Sequence, residues 1–261
     1  MQTILIGVPQ GSILGPILFL LYINDLPSVS RLFPLLFADD TMLLASGEVL
    51  PDLVKFVNEE LHKITTYFRQ NWLALHPLKI QFIVISNSAA VVNSKIELFI
   101  NNNNPGASML YSLFYTISRV TNTSNIPAIK FLGVFFDPAL NFKFHISTLI
   151  SKISRALFML RRCKNFLTEK SLKTLYYSLI HCHLIYGIQV WSCSSPSNIT
   201  HLFRKQKAAI RTISDSRYNS HTEPIFKSLN ILPLPSLCKF FTLQFMQRYV
   251  QGFLTLSFNE T

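Results

Sequence analysis

Apolar residues along this chain keep two different rhythms, and the change between them divides it. From Ile13 to Ile23 nearly every position is apolar, which predicts a helix with Ser12 as a fitting N-cap and Pro16 tolerated near its first turn. Asn24, Asp25 and Pro27 then stop it. Residues 34–45 hold two short apolar runs and predict two strands, Leu35–Phe37 and Thr41–Ala45, about a tight turn at Ala38-Asp39-Asp40. Helical spacing follows between Leu50 and Leu75, carried by Leu53, Phe56, Val57, Leu61, Ile64, Tyr67 and Phe68. Phe82 to Ile85 and Lys130 to Phe136 each predict one strand. Between them, residues 86–128 are rich in Ser and Asn, with Asn101 to Asn104 in a row. They predict a long loop or inserted segment with a possible strand at Ile96–Ile100.

Beyond residue 140 the rhythm is helical throughout. Phe144–Phe166 and Thr168–Trp191 predict two amphipathic helices, the second with Leu172, Leu175, Tyr176, Leu179, His183 and Leu184 along one stripe. A basic helix is expected from about Ile199 to Ile213, and helix again between Pro224 and Gly252. The expected class is therefore α+β, mixed first and all-α afterwards, with no internal repeat.

Composition narrows the picture. The 261 residues are 49% hydrophobic and 14% charged, enough apolar material for a sizeable core and too much for wholesale disorder. Lys and Arg outnumber Asp and Glu by 24 to 13, a formal charge of +11 that suits a polyanionic partner, nucleic acid before membrane. Cys163, Cys182, Cys193 and Cys238 form no CxxC pair, which argues against a zinc site or a secreted disulfide framework. The run from Ile13 to Ile23 is about half of a bilayer span, and no signal-like segment is evident. His181, Cys182 and His183 are adjacent, so a helix would point them to different faces.

Four short blocks carry more specific information. Gly7-Val8-Pro9-Gln10-Gly11-Ser12 is followed by Leu14-Gly15-Pro16, and then by Phe37-Ala38-Asp39-Asp40. Asn71-Trp72-Leu73-Ala74-Leu75-His76-Pro77-Leu78-Lys79 and Lys130-Phe131-Leu132-Gly133-Val134 come after, in that order. Together they resemble the Gly-x-Pro-Gln-Gly, Tyr/Phe-x-Asp-Asp, Leu-x-Leu-Asn-x-x-Lys-Thr and primer-side blocks of reverse transcriptases. The Tyr22-Ile23-Asn24-Asp25-Leu26-Pro27 and Tyr186-Gly187-Ile188-Gln189-Val190-Trp191 stretches resemble jockey-type non-LTR retrotransposons. His76 stands where that family usually has Asn, and Ile80 where it has Thr.

The resemblance implies a partial right-hand polymerase palm, an antiparallel sheet with packed helices, over residues 1–88. An insertion at 89–128, a primer-side hairpin at 129–145 and a helical, thumb-like region at 146–261 would follow. It implies RNA-templated DNA synthesis, with an RNA template, a DNA primer and dNTP as partners, no membrane, and access to nuclear DNA. Asp39 and Asp40 would hold Mg²⁺ in a two-metal site, since magnesium takes hard oxygen ligands. Taken alone, the Asp-Asp pair is better accounted for by a surface β-turn, and it is the three companion blocks that favour the metal reading. By the same resemblance Pro9, Gln10, Gly11, Phe37 and Ala38 would meet the nucleotide and template. Lys79 would assist pyrophosphate departure, and Leu132 and Gly133 would face the primer.

Arg204, Lys207 and Arg211 recur at helical spacing and suit a phosphate backbone, as does the group Arg155, Arg161, Arg162 and Lys164; a solvated face is the plainer alternative for both. The family carries a further strand Asp upstream that bridges both metals, and only six residues precede Gly7, none acidic. The expectation is an amino-terminally truncated domain with an exposed apolar face and no polymerase activity of its own. The other readings are a non-catalytic nucleic-acid-binding relic of a decayed element and, more remotely, a group II intron maturase fragment.

Overall fold

The computed structural model describes residues 11–76, 79–101, 114–121 and 127–253. They form two compact units, residues 1–133 and 134–261, each with its own core.

In the first unit the apolar run is helical from Leu14 to Ile23 (α1), and the Ser12 hydroxyl accepts the Gly15 N–H at 2.9 Å, satisfying a donor that the first turn leaves free. Few of its apolar side chains are covered: only Gly15 and Ile23 are buried, while Ile13, Leu14 and Leu21 are well exposed. A single turn, Leu26–Val29 (α2), leads to a hairpin of β1 (Phe33–Phe37) and β2 (Asp40–Leu44), antiparallel in the register Phe33↔Leu44 to Phe37↔Asp40. Helix α3 (Leu50–Gln70) supplies Leu61, Ile64 and Phe68 to a core completed by Ile23, Leu26, Leu32, Leu98, Ile100 and Ile117.

That helix ends five residues short of the expected Leu75. Asn71 turns its amide onto the Tyr67 carbonyl at 3.0 Å, Trp72 takes a left-handed φ of 53°, and the Leu73 N–H reaches back to the Phe68 carbonyl at 2.8 Å. This is a Schellman stop with tryptophan in the place glycine usually fills. Leu73 and Leu75 still pack against the core, which is why spacing alone extends the helix through them.

The Ser/Asn-rich stretch is not a plain loop. Its described parts hold α4 (Ala89–Asn93), β4 (Phe99–Asn101) and β5 (Phe114–Thr116), which pair antiparallel, and β6 (Ser118–Arg119), which pairs parallel with β3 (Gln81–Phe82). Thus β3 is shorter than the expected Phe82–Ile85 run, and the expected strand at Ile96–Ile100 lies later. The Asn58 side chain bonds the Glu97 carbonyl at 3.3 Å and the Phe99 N–H at 3.0 Å, tying α3 to β4. The predicted single strand Lys130–Phe136 is likewise two, β7 (Ile129–Phe131) and β8 (Val134–Phe136), because Leu132 (φ 44°) and Gly133 (φ 83°) reverse the chain between them.

The second unit is helical after β8. Asp137 is buried and accepts the N–H groups of Ala139, Asn141 and Phe142 (3.2, 3.0 and 2.7 Å), which closes the turn into α5 (Lys143–Cys163). The expected helix Thr168–Trp191 is α6 (Glu169–Tyr176), a π-helical turn (Tyr177–His181), α7 (Cys182–Ile185) and, after a break at Gly187 (φ 61°), α8 (Ile188–Trp191). The apolar stripe is continuous across the break, so spacing does not reveal it. Helix α9 (Pro196–Ile213) packs on α5. The carboxyl-terminal helix divides into α10 (Glu223–Ser228) and α11 (Leu234–Val250), separated where Asn230 turns left-handed. Inside this unit the Gln206 side chain donates to the Tyr176 hydroxyl (2.9 Å) and the Leu232 carbonyl (3.0 Å), and accepts the Leu234 N–H at 2.7 Å. Both polar atoms of the buried Gln206 side chain are thereby satisfied. No described helix is long and apolar enough to cross a membrane.

Candidate active site

The β1–β2 hairpin closes at the Phe37↔Asp40 pair, leaving Ala38 and Asp39 as a two-residue turn. Ala38 has φ 51°, a conformation that costs a Cβ-bearing residue roughly 1–2 kcal/mol. Side chains alternate along each strand, so Pro34 and Leu36 turn toward the core while Phe33, Leu35 and Phe37 are exposed. Directly paired residues share a face, which puts the Asp40 carboxylate beside Phe37, itself 61% exposed. Asp39 sits on the turn, also exposed. The hairpin therefore presents two adjacent carboxylates at its free tip, next to an uncovered apolar face.

What holds the hairpin's base was not legible in the motif. Glu60, within the buried stripe of α3, accepts the Ser30 hydroxyl (3.0 Å), the Arg31 N–H (2.9 Å) and the Arg31 guanidinium (3.1 Å), together with Lys63 at 2.7 Å. The chain thus enters β1 already pinned to α3. Lys63 first, then the Arg31 backbone N–H, hold this carboxyl well below its usual range, at about 2. The sequence signal was an acidic residue inside an apolar helical stripe.

Of the other predicted site residues, Pro9 and Gln10 lie outside the described residues. Gly11 has φ 87°, and a Cβ built on it would meet no described residue within 4 Å. Lys79 is exposed; its N–H bonds the His76 carbonyl at 3.0 Å, and no hydrogen bond or ion pair among the described residues links it to the hairpin. Leu132 and Gly133 form the reversal between β7 and β8. On α9, Arg204 is exposed, the Lys207 amine lies 4.4 Å from the Phe203 ring centroid, and the Arg211 Nε donates to the Ser220 carbonyl at 2.9 Å. These three are not one uniform free stripe, since Arg211 also holds the chain after α9.

No group of three His, Cys, Asp or Glu among the described residues could hold a metal ion. Two adjacent aspartates nevertheless match what magnesium accepts from a protein, one or two carboxylates with water and substrate phosphate filling the remaining positions. The donor chemistry fits, as part of a site rather than a closed cage.

The sequence matches a family described as reverse transcriptase (RNA-dependent DNA polymerase) over residues 2–136. Among curated proteins it is similar to the probable RNA-directed DNA polymerase from transposon BS of Drosophila melanogaster, 24% identical over 86% of this chain and 24% of the relative. It is also similar to the RNA-directed DNA polymerase from mobile element jockey of the same species, 23% identical over 95% of this chain and 26% of the relative. A retrovirus-related Pol polyprotein from type-1 retrotransposable element R1 of Nasonia vitripennis is 24% identical over 71% of this chain and 52% of the relative. The chain spans about a quarter of the length of the first two. No solved structure matches it.

Proposed function

This chain belongs to the reverse transcriptase family, and on that premise we propose that it comes from a jockey-like, non-LTR transposable element and forms part of a polymerase palm followed by a thumb, in which Asp39 and Asp40 hold Mg²⁺ for RNA-templated DNA synthesis. The observation that carries this reading is the hairpin tip, where a two-residue turn leaves the consecutive residues Asp39 and Asp40 both exposed. When bound, magnesium would supply charge stabilisation for the in-line phosphoryl displacement. The chain's own residues bind and orient. Exposed Phe37 and the Ala38 turn would border the incoming nucleotide, and Gly11, with Pro9 and Gln10 before it, would let template and dNTP approach the backbone. Lys79, exposed and in no ion pair with a described residue, would meet the departing pyrophosphate with charge or a proton. The Leu132-Gly133 reversal would face the primer, and Arg204, Lys207 and Arg211 would contact the nucleic-acid backbone.

In the same reading the isolated chain does not polymerise. Two carboxylates on one turn, with no third ligand among the described residues, leave a metal pair without an opposing anchor. Because such catalysis is almost entirely positioning and charge stabilisation, the loss costs many orders of magnitude. Primer extension by the purified chain, with RNA template, DNA primer, dNTP and Mg²⁺, is expected to give no templated product. Clear extension that disappears in Asp39→Asn would overturn the inactivity and keep the metal assignment; extension unchanged by Asp39→Asn and Asp40→Asn would overturn the assignment itself. A second reading, nucleic-acid binding without catalysis, is favoured by the charge of +11.

A further inference from the structure

Within the second unit, a cleft of about 730 Å³ opens between α5 and the stretch that runs through the π-helical turn into α7. Lys152, Arg155, Phe158 and Met159 line it from α5, and Leu179 and His183 from the other wall. We propose that this cleft binds single-stranded nucleic acid, with a base stacked on Phe158 and successive phosphates held by Lys152 and Arg155.

Three features select that ligand. Lys152 and Arg155 are exposed, three residues apart on one helix face, and take no ion pair with any described residue; no Asp or Glu lines the cleft. With Met159 and Arg162 they continue as a stripe at positions 152, 155, 159 and 162, roughly 15 Å of helix, long enough to follow several backbone phosphates. Next, the floor is apolar and open: Phe158 is 58% exposed and Met159 47%, unusual for large side chains on a helix whose own apolar stripe is fully used in the core. A flat aromatic beside cations is the arrangement on which unpaired bases stack, and the Arg162 guanidinium already lies 5.3 Å from the Phe158 ring centroid. The opposite wall supplies the third feature. There the chain departs from α-helical geometry over Tyr177–His181, a distortion common at functional sites. It also presents His183, whose pKa is lowered by burial and then by Lys152, so that it is a neutral donor and acceptor for a base or sugar edge.

A duplex hides its base faces inside the stack and could use only the cations. An acidic peptide would satisfy the cations and leave Phe158 and Met159 without a flat partner. The proposal goes beyond the polymerase reading, because it needs no metal, no dNTP and neither Asp39 nor Asp40.

Fluorescence anisotropy of labelled oligo(dT) and oligo(rU), roughly 16 nucleotides long, titrated with the whole chain over a range of KCl and without divalent ions, tests it. Lys152→Ala/Arg155→Ala should weaken binding and flatten the dependence of log K on log salt by about 1.4, two phosphates' worth for a single strand. Phe158→Ala should weaken binding roughly tenfold or more with the salt slope unchanged, and Phe158→Tyr should bind as the parent does. The titrations contain neither Mg²⁺ nor dNTP, so their outcome stands apart from any failure of the catalytic reading. All of these side chains are exposed, so circular dichroism should be unaltered. Phe158→Ala binding as tightly as the parent overturns the proposal, as does stronger competition at the same residues by polyglutamate or by anionic vesicles.

Discussion

At the scale of single residues, two buried ionisable groups contribute to how the chain responds to acid. His145 is buried beside Trp191, accepts the Phe135 N–H on Nδ1 at 3.4 Å, and has no hydrogen-bond partner for Nε2 among the described residues. Burial first, and Lys152 second, lower its pKa from 6.5 to about 4. The unfolded chain therefore takes up a proton before the folded one, and stability falls as pH drops from 6.5 towards 4, by on the order of 3 kcal/mol in all. Below pH 4 both states are protonated and this contribution is constant. His145→Gln should flatten the pH dependence of Tm across that window in thermal melts; an unchanged slope would assign the acid sensitivity elsewhere. Glu60 works in a lower window. Its stabilisation is complete above pH 4.5 and is lost as pH falls through about 2. Glu60→Gln at neutral pH leaves Lys63 and Arg31 without a carboxylate, so a fall in Tm of roughly 5 °C is expected. Amide exchange should quicken in β1 as the hairpin loses its anchor. An unaltered Tm with unaltered exchange would show that the clamp contributes nothing.

Elements in this chain are ended by backbone conformation more than by composition. Trp72, Asp215, Asn230 and Gly252 each take a left-handed φ directly after a helix, and only one of the four is glycine. Gly187 is a different case, breaking a continuous apolar stripe from inside. A Cβ there would stand 3.0 Å from Val134 Cγ2, on a backbone at φ 61° that L residues adopt at a cost of roughly 1–2 kcal/mol. Gly187→Ala should accordingly lower unfolding stability by about 2 kcal/mol in urea titration, strain and contact combined. A neutral result would mean that α7 and α8 tolerate being one helix. The break matters for packing because it lets the Trp191 indole donate to the Tyr186 carbonyl at 2.8 Å while the ring stays fully buried.

For the molecule as a whole, the charge of +11 and the apolar surface point to different partners. Exposed Ile13, Leu14, Ile17, Leu20 and Leu21 on and beside α1 are carbons that the described residues leave in water, an association surface of the kind folded domains usually cover. Leu14→Lys/Leu21→Lys should reduce self-association in sedimentation velocity without lowering Tm, because neither side chain touches the core. Association undiminished by both substitutions would place the sticky surface elsewhere, for example on α11, where Leu243 and Val250 are equally exposed.

Family membership, the hairpin with Asp39 and Asp40 at its tip and the helical character of the second half were legible in the sequence, because each rests on local information: motif order, short apolar runs about a turn, period-3.6 stripes. Those signals report which residues are apolar and how far apart they lie. They do not report where a chain turns back while its apolar spacing continues, as it does after Gln70 and at Gly187, since one stripe serves a straight helix and a broken one alike. Nor could they show that Leu98, Ile100 and Ile117, from a Ser/Asn-rich stretch, complete the first core. Glu60 as the hairpin's anchor, and Lys152, Arg155 and Phe158 brought to one cleft with His183, depend on contacts between residues far apart along the chain. Burial and hydrogen-bond partners are properties of those contacts, so they were decided only when the chain folded.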